Sequence, residues 1–257
     1  MLSNHGVDRL PITDYQLLNY CMTQQSSSSD FHSLAVNSRI SPWLAPLAYS
    51  LGTYIVLPTF FSKIEITGRE NIPPKNPVIV APTHRSRWDA LLVPYAVGKL
   101  VSGRYTRFMV SANEVKGLQG WFIRRLGGFP VDTDKPGASS LRHSVELLKK
   151  NEMLVIFPEG NIFRERKIHP LKRGVARIAL DVVEESGTEV NILPVSLKYS
   201  VPYPSWGAKV KIDIGVPLNA ARFLEDSVRQ SSKKLTQTLE ESLKELHESP
   251  QAQELVT

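Results

Sequence analysis

Cysteine is nearly absent from this 257-residue chain, and the single thiol, Cys21, stands in a polar stretch. One cysteine can form no disulfide within the chain, and such low usage is typical of proteins from a reducing compartment. No neighbouring residue would favour the thiolate form that a nucleophile needs. Cys21 is therefore not expected to take part in chemistry.

Long uninterrupted apolar runs are absent as well. The first ten residues, MLSNHGVDRL, lack the basic-then-apolar order of a secretory signal. Residues 41–62 carry no charge, but Pro42, Pro46, Gly52 and Pro58 interrupt them, which disfavours a spanning helix. Their aromatic side chains suit the headgroup boundary of a membrane. We expect a membrane-interacting segment here, with an apolar helix packed on the protein as the alternative.

The charge balance is moderately basic. Lys and Arg number 31 against 25 Asp and Glu, which gives a formal charge of +6 and a pI near 9.4. This balance favours anionic partners such as phosphates, anionic headgroups or nucleic acid. The basic residues are spread along the chain without an aromatic platform, a zinc-finger pattern or an RNP pattern, so no nucleic-acid partner is expected.

The order of predicted elements indicates the fold class. Residues 1–40 form a polar arm with the linker-like tract QQSSSSD, and the regular pattern of the predicted catalytic domain occupies residues 63–257. Strands are predicted at 63–68, 77–82, 107–115, 127–132, 153–160, 191–200 and 209–218. Helices are predicted at 89–100, 114–128, 136–152 (capped by Ser139 or Ser140), 169–187 and 220–248. This alternation predicts a single α/β domain with a mainly parallel mixed central sheet flanked by helices, plus the apolar N-terminal segment.

A polar cluster follows the predicted strand PVIVAP, in the stretch APTHRSRWDALLVP at 81–94. His84 and Asp89 are too far apart in sequence to share one helix face. They can meet if His84 lies on a loop and Asp89 lies in the first turn of the next helix, where an aspartate is favoured. Asp89 would then accept the proton of one imidazole nitrogen and leave the other nitrogen free as a base.

A protein nucleophile for this base is missing. The chain has no G-x-S-x-G elbow, and Cys21 is excluded, so the substrate is expected to bring its own hydroxyl. Metal-assisted hydrolysis with His84, Asp89 and Glu159 as ligands is the alternative of another class. This set has only one histidine and the chain has no H-x-x-x-H run of the kind that metal sites favour, so we expect no metal.

Several ordered motifs resemble those of the glycerolipid acyltransferases. The stretch from His84 to Asp89 resembles the H-x4-D motif of that family, and FPEGN at 157–161 is similar to its F-P-E-G-T-R block. LKRG at 171–174, ILPV at 192–195 and GGFPVD at 127–132 resemble three further blocks. The match departs at Asn161, Ile162 and Thr133, where the family patterns carry Thr, Arg and a phosphate-binding Arg.

The resemblance implies transfer of a fatty acyl group from an acyl thioester, on coenzyme A or acyl carrier protein, to the free hydroxyl of 1-acylglycerol 3-phosphate. His84 would be the general base and Asp89 its orienting partner, without a cofactor. Glycerol 3-phosphate or another lysophospholipid is the alternative acceptor. Such an enzyme would work at the cytoplasmic face of a membrane, as a peripheral or partly embedded protein.

Substrate-binding positions follow from the same resemblance. Glu159 and Gly160 are expected beside the acceptor. The phosphate of the acceptor needs cations, for which arginine offers two-pronged contacts. The candidates are Arg85, Arg87, Arg164, Lys172 and Arg173, of which Lys172 matches the family motif.

Overall fold

The computed structural model describes Val36 and residues 38–132 and 137–248. Cys21, the QQSSSSD tract, nearly all of the predicted polar arm and Thr133 lie outside the described residues.

The described residues form one mixed sheet of eight strands in the order β1-β7-β6-β2-β5-β3-β4, with β8 paired to β6. The pairs β6–β7 and β6–β8 are antiparallel, and all other pairs are parallel. The predicted mainly parallel α/β fold is thus confirmed. The strands are β1 Lys63–Thr67, β2 Val78–Pro82, β3 Thr106–Ser111, β4 Gly128–Val131, β5 Met153–Val155, β6 Asn191–Tyr199, β7 Lys209–Ile214 and β8 Leu218–Asn219.

Helices cover both faces of the sheet. They are α1 Leu44–Leu51, α2 Leu57–Phe60, α3 Asp89–Val97, α4 Lys99–Ser102, α5 Gly117–Arg125, α6 Ala138–Lys149, α7 Gly174–Ser186 and α8 Val228–Glu248. A π-helical turn, Gly52–Val56, joins α1 to α2, and single 3₁₀ turns lie at Arg69–Asn71, Ala112–Glu114 and Ala220–Phe223. One core packs α6, α7 and α8 on the sheet, and the other packs α2 and α3 on the opposite face.

The central strand β2 leads directly into the site region. All five of its residues, VIVAP, are buried, as expected for a parallel strand covered on both faces. It pairs with β6 from Val78↔Asn191 to Pro82↔Val195 and with β5 from Val78↔Met153 to Val80↔Val155. Three strand ends therefore meet at one edge of the sheet.

Two predicted helix starts lie several residues too early in the chain. The helix predicted at 169–187 begins at Gly174, because Pro170 disfavours helix at the residue before it and the Lys172 amide donates to the Pro158 carbonyl. The helix predicted from residue 220 begins at Val228, because the Asn219 side chain bonds the Ala221 amide and closes a local turn.

The predicted serine cap of α6 is also wrong. The residue before this helix is Gly137, and no side chain caps it. Ser140 lies inside the first turn and donates its hydroxyl to the Pro130 carbonyl on β4, at 3.0 Å. The serine therefore ties the helix to the sheet and leaves its N-terminus without a side-chain cap.

The strand predicted at 153–160 ends at Val155. Ile156 still donates to the Val80 carbonyl, after which the Gly160 amide closes a turn on the Phe157 carbonyl. Gly160 has φ +75°, a left-handed conformation that favours glycine. The FPEG residues therefore form a turn at the sheet edge.

The apolar segment is helical with two unlike faces. Leu44, Ala45 and Leu57 are buried. Exposed apolar side chains follow the other face at helical spacing, namely Trp43, Leu47, Leu51, Tyr54 and Ile55. No helix in the part of the chain that the structure describes is both long and apolar enough to cross a membrane.

Two left-handed glycines provide a test of the fold. At Gly68 (φ +77°) an added Cβ would lie 1.9 Å from the Ile214 carbonyl oxygen on β7, whereas at Gly103 (φ +75°) it would meet nothing within 4 Å. We expect Gly103→Ala to lower the free energy of unfolding by about 1–2 kcal/mol, the cost of the left-handed conformation alone. Gly68→Ala should cost more than about 3 kcal/mol, since the β1–β7 edge must also separate. Thermal unfolding of both variants measures this, and equal losses would contradict the predicted clash.

Candidate active site

The site lies at the edge of the sheet that holds the carboxyl ends of β2, β5 and β6. Parallel strands bring their carboxyl ends to one edge, which is where α/β sheets place their sites. The loop after β2 carries His84, the turn after β5 carries Glu159, and β6 ends at Tyr199. Thr83, fully buried, fixes the loop to the sheet because its hydroxyl accepts from the Leu197 amide at 2.9 Å.

His84 and Asp89 meet as the sequence predicts. His84 lies on the loop, Asp89 is the first residue of α3, and His84 Nδ1 is 2.9 Å from Asp89 Oδ2. The amides of Arg85 and Ser86 donate to the same oxygen at 2.7 and 2.9 Å, and the Tyr199 hydroxyl donates to Oδ1 at 2.5 Å. Asp89 has no solvent exposure, so these four donors replace its hydration.

This carboxylate fixes the state of the imidazole. An ionised carboxylate can only accept, so Nδ1 of His84 carries the proton and Nε2 is left as the basic nitrogen. The ring stacks on Phe157 with a centroid distance of 3.9 Å, and the side chain keeps 19% exposure. The ring of His84 is therefore fixed in orientation and still partly exposed.

Glu159 lies beside the base with one oxygen occupied. Its Oε2 is 2.8 Å from Nη1 of Arg85, while the buried Oε1 has no hydrogen-bond partner. Burial raises the pKa of Glu159, and the Arg85 guanidinium partly opposes the rise. A polar ligand group could therefore gain a hydrogen bond at Oε1.

Arg85 is engaged inside the protein, although the sequence made it a candidate for a phosphate ligand. Its Nη1 also donates to the carbonyls of His84 and Phe163, at 3.2 and 3.1 Å. Its Nη2 donates to the Lys167 carbonyl at 3.1 Å. The side chain is 5% exposed. It therefore joins the His84 loop, the Glu159 turn and the loop that follows.

The other predicted cations lie in different surroundings. Lys172 lies against Gly160, because a Cβ at that glycine would come within 2.6 Å of Lys172 Cε. Arg173 is exposed and precedes α7. Arg87 pairs with Glu114 at 2.7 Å, and Arg164 stacks on the Tyr203 ring at 4.5 Å. Of these four cations, Lys172 is the one that contacts the Glu159–Gly160 turn.

Sequence reasoning missed Tyr199, Ser196 and His247. Burial and the neighbouring Asp89 raise the pKa of Tyr199 well above its usual value. The position of Tyr199 at the end of a predicted buried strand could have suggested a site residue.

His247 follows Leu239 and Leu243 on the apolar face of α8, where a histidine is unusual. That helical spacing is the sequence signal that could have identified His247. Trp88 packs on Phe60 and Phe61, as an aromatic that holds the loop.

No cluster of three or more His, Cys, Asp or Glu side chains that could hold a metal ion occurs among the residues placed by the structure. His84 and Asp89 bond each other, and Glu159 bonds Arg85. The expectation that the protein needs no metal stays a prediction.

The Tyr199 hydroxyl can be tested by stability. Tyr199→Phe removes the donor from Asp89 Oδ1 and leaves a buried carboxylate oxygen unpaired, so we expect a loss of about 1–3 kcal/mol in the free energy of unfolding. Tyr203→Phe is the control, since this tyrosine is 71% exposed and should change stability by less than about 0.5 kcal/mol. Urea unfolding of both variants measures this, and an unchanged Tyr199→Phe would remove that hydroxyl from the account of Asp89.

The chain is similar to known acyltransferases. The crystal structure of the 1-acyl-sn-glycerophosphate acyltransferase of Thermotoga maritima matches with a TM-score of 0.61 over 81% of both chains, at 24% identity, and so supports the fold. The 1-acyl-sn-glycerol-3-phosphate acyltransferase of Bacillus subtilis is 29% identical over 189 residues, 71% of this chain and 87% of that protein. The mitochondrial glycerol-3-phosphate acyltransferase 1 of Sus scrofa is 28% identical over 134 residues, 48% of this chain and 16% of that protein.

The family model "Acyltransferase" matches residues 63–198, which is more than half of the chain. The matched range runs from β1 to the penultimate residue of β6 and includes His84, Asp89 and Glu159. The ordered motifs, the sheet and this match agree. The chain therefore belongs to the acyltransferase family.

Proposed function

We propose that this enzyme transfers a fatty acyl group from an acyl thioester to the free hydroxyl of 1-acylglycerol 3-phosphate, giving phosphatidic acid. The observation that carries the proposal is the oriented imidazole of His84, held by a fully buried Asp89. The activity of the Bacillus subtilis relative, a 1-acyl-sn-glycerol-3-phosphate acyltransferase, supports the choice of acceptor. The donor is a thioester of coenzyme A or of acyl carrier protein.

The chemistry needs one base and no covalent enzyme intermediate. Nε2 of His84 takes the proton of the acceptor hydroxyl as its oxygen attacks the thioester carbonyl. Asp89 stabilises the imidazolium that forms, because its carboxylate already accepts the Nδ1 proton. The carbon–sulfur bond then breaks, and the leaving thiolate takes the proton back from Nε2. The ester is formed and the histidine returns to its starting state.

Lys172 is the cation that we assign to the acceptor's phosphate. It lies against Gly160, next to Glu159, and Arg173 follows it at the exposed start of α7, a 13-residue helix. A helix N-terminus and a lysine together favour a phosphate. We assign Gly160 the role of letting Lys172 lie this close, since a Cβ there would displace the lysine side chain. Arg87 and Arg164, which contact Glu114 and Tyr203, are weaker candidates.

Glycerol 3-phosphate is a second candidate acceptor, favoured by the unpaired Oε1 of Glu159. This substrate has two free hydroxyls, so one can donate to His84 while the other donates to Glu159. In 1-acylglycerol 3-phosphate the one free hydroxyl is the group that His84 deprotonates, and Glu159 would need its own proton to bond an ester or phosphate oxygen. The raised pKa of Glu159 favours that protonated form.

Removal of the base tests the proposal. We expect wild type to transfer labelled palmitate from its thioester to 1-acylglycerol 3-phosphate, and His84→Ala to retain no more than a few per cent of that rate. Asp89→Asn should lower the rate by about 10²–10⁴-fold, since the imidazole loses its orienting acceptor. His143→Gln, at a histidine that bonds Ser38 elsewhere, is the control and should stay active.

The same assay compares acceptors and donors. It uses 1-acylglycerol 3-phosphate, glycerol 3-phosphate and another lysophospholipid, each with coenzyme A and acyl carrier protein thioesters. Faster transfer to glycerol 3-phosphate would establish the second candidate. An active His84→Ala would reject the base assignment.

We also propose that the exposed apolar face of α1 contacts a membrane at its cytoplasmic face, because an acceptor with a fatty chain, such as 1-acylglycerol 3-phosphate, partitions into a membrane. Helix α5 adds a second apolar face, with exposed Leu118, Trp121 and Phe122. The residues just before α1 are joined to the end of α5, because the Ser41 amide donates to the Arg125 carbonyl at 2.9 Å. Arg125 also lies over the Trp121 ring at 4.0 Å, an arrangement that suits an anionic headgroup layer.

Vesicle binding tests the exposed apolar face of α1. Leu57, in the apolar segment, is buried in the core, so substitution is a cleaner test than truncation. We expect the double variant Leu47→Gln, Leu51→Gln to reduce co-sedimentation with vesicles that contain anionic lipid. The affinity should fall by about tenfold, because the two leucines would no longer insert their apolar side chains into the membrane. The control is Val216→Gln, Leu224→Gln, at exposed apolar positions elsewhere. Equal binding of the two variants would contradict the assignment.

A further inference from the structure

His247 couples the C-terminal helix to the site, although it lies outside the matched range 63–198. It occupies the last turn of α8 and is 5% exposed. Its Nε2 lies 3.2 Å from Nε of Arg85, 162 positions earlier in the chain, and its Nδ1 lies 2.9 Å from the Ser196 hydroxyl on β6. One imidazole thus contacts the His84 loop and the central sheet.

The partners of His247 fix its tautomer. A guanidinium Nε–H can only donate, so Nε2 of His247 must be unprotonated. The ring proton then lies on Nδ1 and is donated to the Ser196 hydroxyl. Burial, with the nearby cations Arg85, Lys198 and Arg166, lowers the pKa of His247 to about 3. The ring is therefore a neutral acceptor for Arg85 at physiological pH.

The contact determines how Arg85 presents Glu159. A guanidinium is a planar, rigid group, so fixing Nε at one edge and Nη1 at another fixes its orientation. His247 holds Nε, and Nη1 holds Oε2 of Glu159 at 2.8 Å. With Oε2 held, Oε1 is the oxygen left for a ligand. Loss of the His247 acceptor would leave the buried Nε–H unpaired, and the guanidinium, held only through Nη1 and Nη2, would shift from its present orientation.

We propose that His247 is a positioning residue for acyl transfer, which holds Arg85 so that Glu159 is aimed at the acceptor. The inference rests on the proposed function, in which the acceptor binds beside Glu159. It makes the C-terminal helix part of the site, through His247, a residue that lies outside both the H-x4-D motif and the FPEG turn.

Two substitutions separate positioning from packing. In His247→Gln the side-chain oxygen can take the place of Nε2 and accept from Arg85. In His247→Asn the shorter amide can still reach Ser196 but not Arg85. We expect His247→Asn to lower kcat/KM for the acceptor by about 10–100-fold, with an unchanged KM for the thioester. His247→Gln should restore most of that loss.

Leu243→Ala is the matched control, one turn earlier on the same helix, fully buried and without a polar atom. It should lower Tm at least as much as His247→Asn, yet keep its kcat/KM when assayed well below that Tm. The proposal is overturned if His247→Asn is as active as wild type, if the Asn and Gln variants lose activity equally, or if Leu243→Ala loses as much kcat/KM as His247→Asn.

Failure of this inference and failure of the proposed function give different results. All variants are assayed with the acceptor that wild type uses best, so the comparison does not depend on 1-acylglycerol 3-phosphate. If wild type acylates no acceptor, the proposed function fails while ¹⁵N NMR at pH 7 still tests the contact. We expect His247 to be neutral with its proton on Nδ1. A proton on Nε2 would overturn the proposal.

Discussion

The buried carboxylate of Asp89 is the group on which the site depends. An ionised carboxylate without solvent contact is tolerated only when hydrogen bonds replace its hydration. The four donors come from its own loop and from β6, through Arg85, Ser86, His84 and Tyr199. Tyr199 can reach Asp89 because β2 and β6 run parallel and in register to Pro82↔Val195. The direction of the His84 ring is therefore a consequence of the sheet.

Arg85 extends this arrangement from one loop to several. Its guanidinium donates to a carboxylate, an imidazole and three carbonyls, so the His84 loop, the Glu159 turn and the end of α8 share a single cation. A buried arginine is expensive unless such partners surround it. These loops are therefore joined through one guanidinium, which links the His84 loop to the turn that carries the unpaired Glu159 oxygen.

The strand–loop–helix around His84 could be predicted from the sequence because its signals are local. The apolar run PVIVAP, the aspartate at a helix start and the spacing from His84 to Asp89 are all contained in residues 77–97. Alternation along the chain predicted the parallel sheet for the same reason.

The remaining features depend on distant contacts. Nothing near His247 in sequence indicates that Arg85 lies beside it, and the role of Tyr199 follows from strand order. The helix starts at Gly174 and Val228 were not predicted because local hydrogen bonds override the apolar periodicity there. The Lys172 amide donates one of these bonds, and the Asn219 side chain accepts the other. Ser140 resembled a cap, but its hydroxyl bonds β4. Local propensity gives way wherever a side chain finds a tertiary partner.

The FPEG turn holds two departures from ordinary packing and pairing. Oε1 of Glu159 is buried and unpaired, and Gly160 holds a left-handed backbone under the Lys172 side chain. A folded protein retains such costs where something else compensates them, and an unpaired buried oxygen is compensated by a ligand that supplies a hydrogen bond. The turn is adjacent to the His84 ring through Phe157, which stacks on it. A ligand that satisfied Glu159 would therefore bind near the His84 ring.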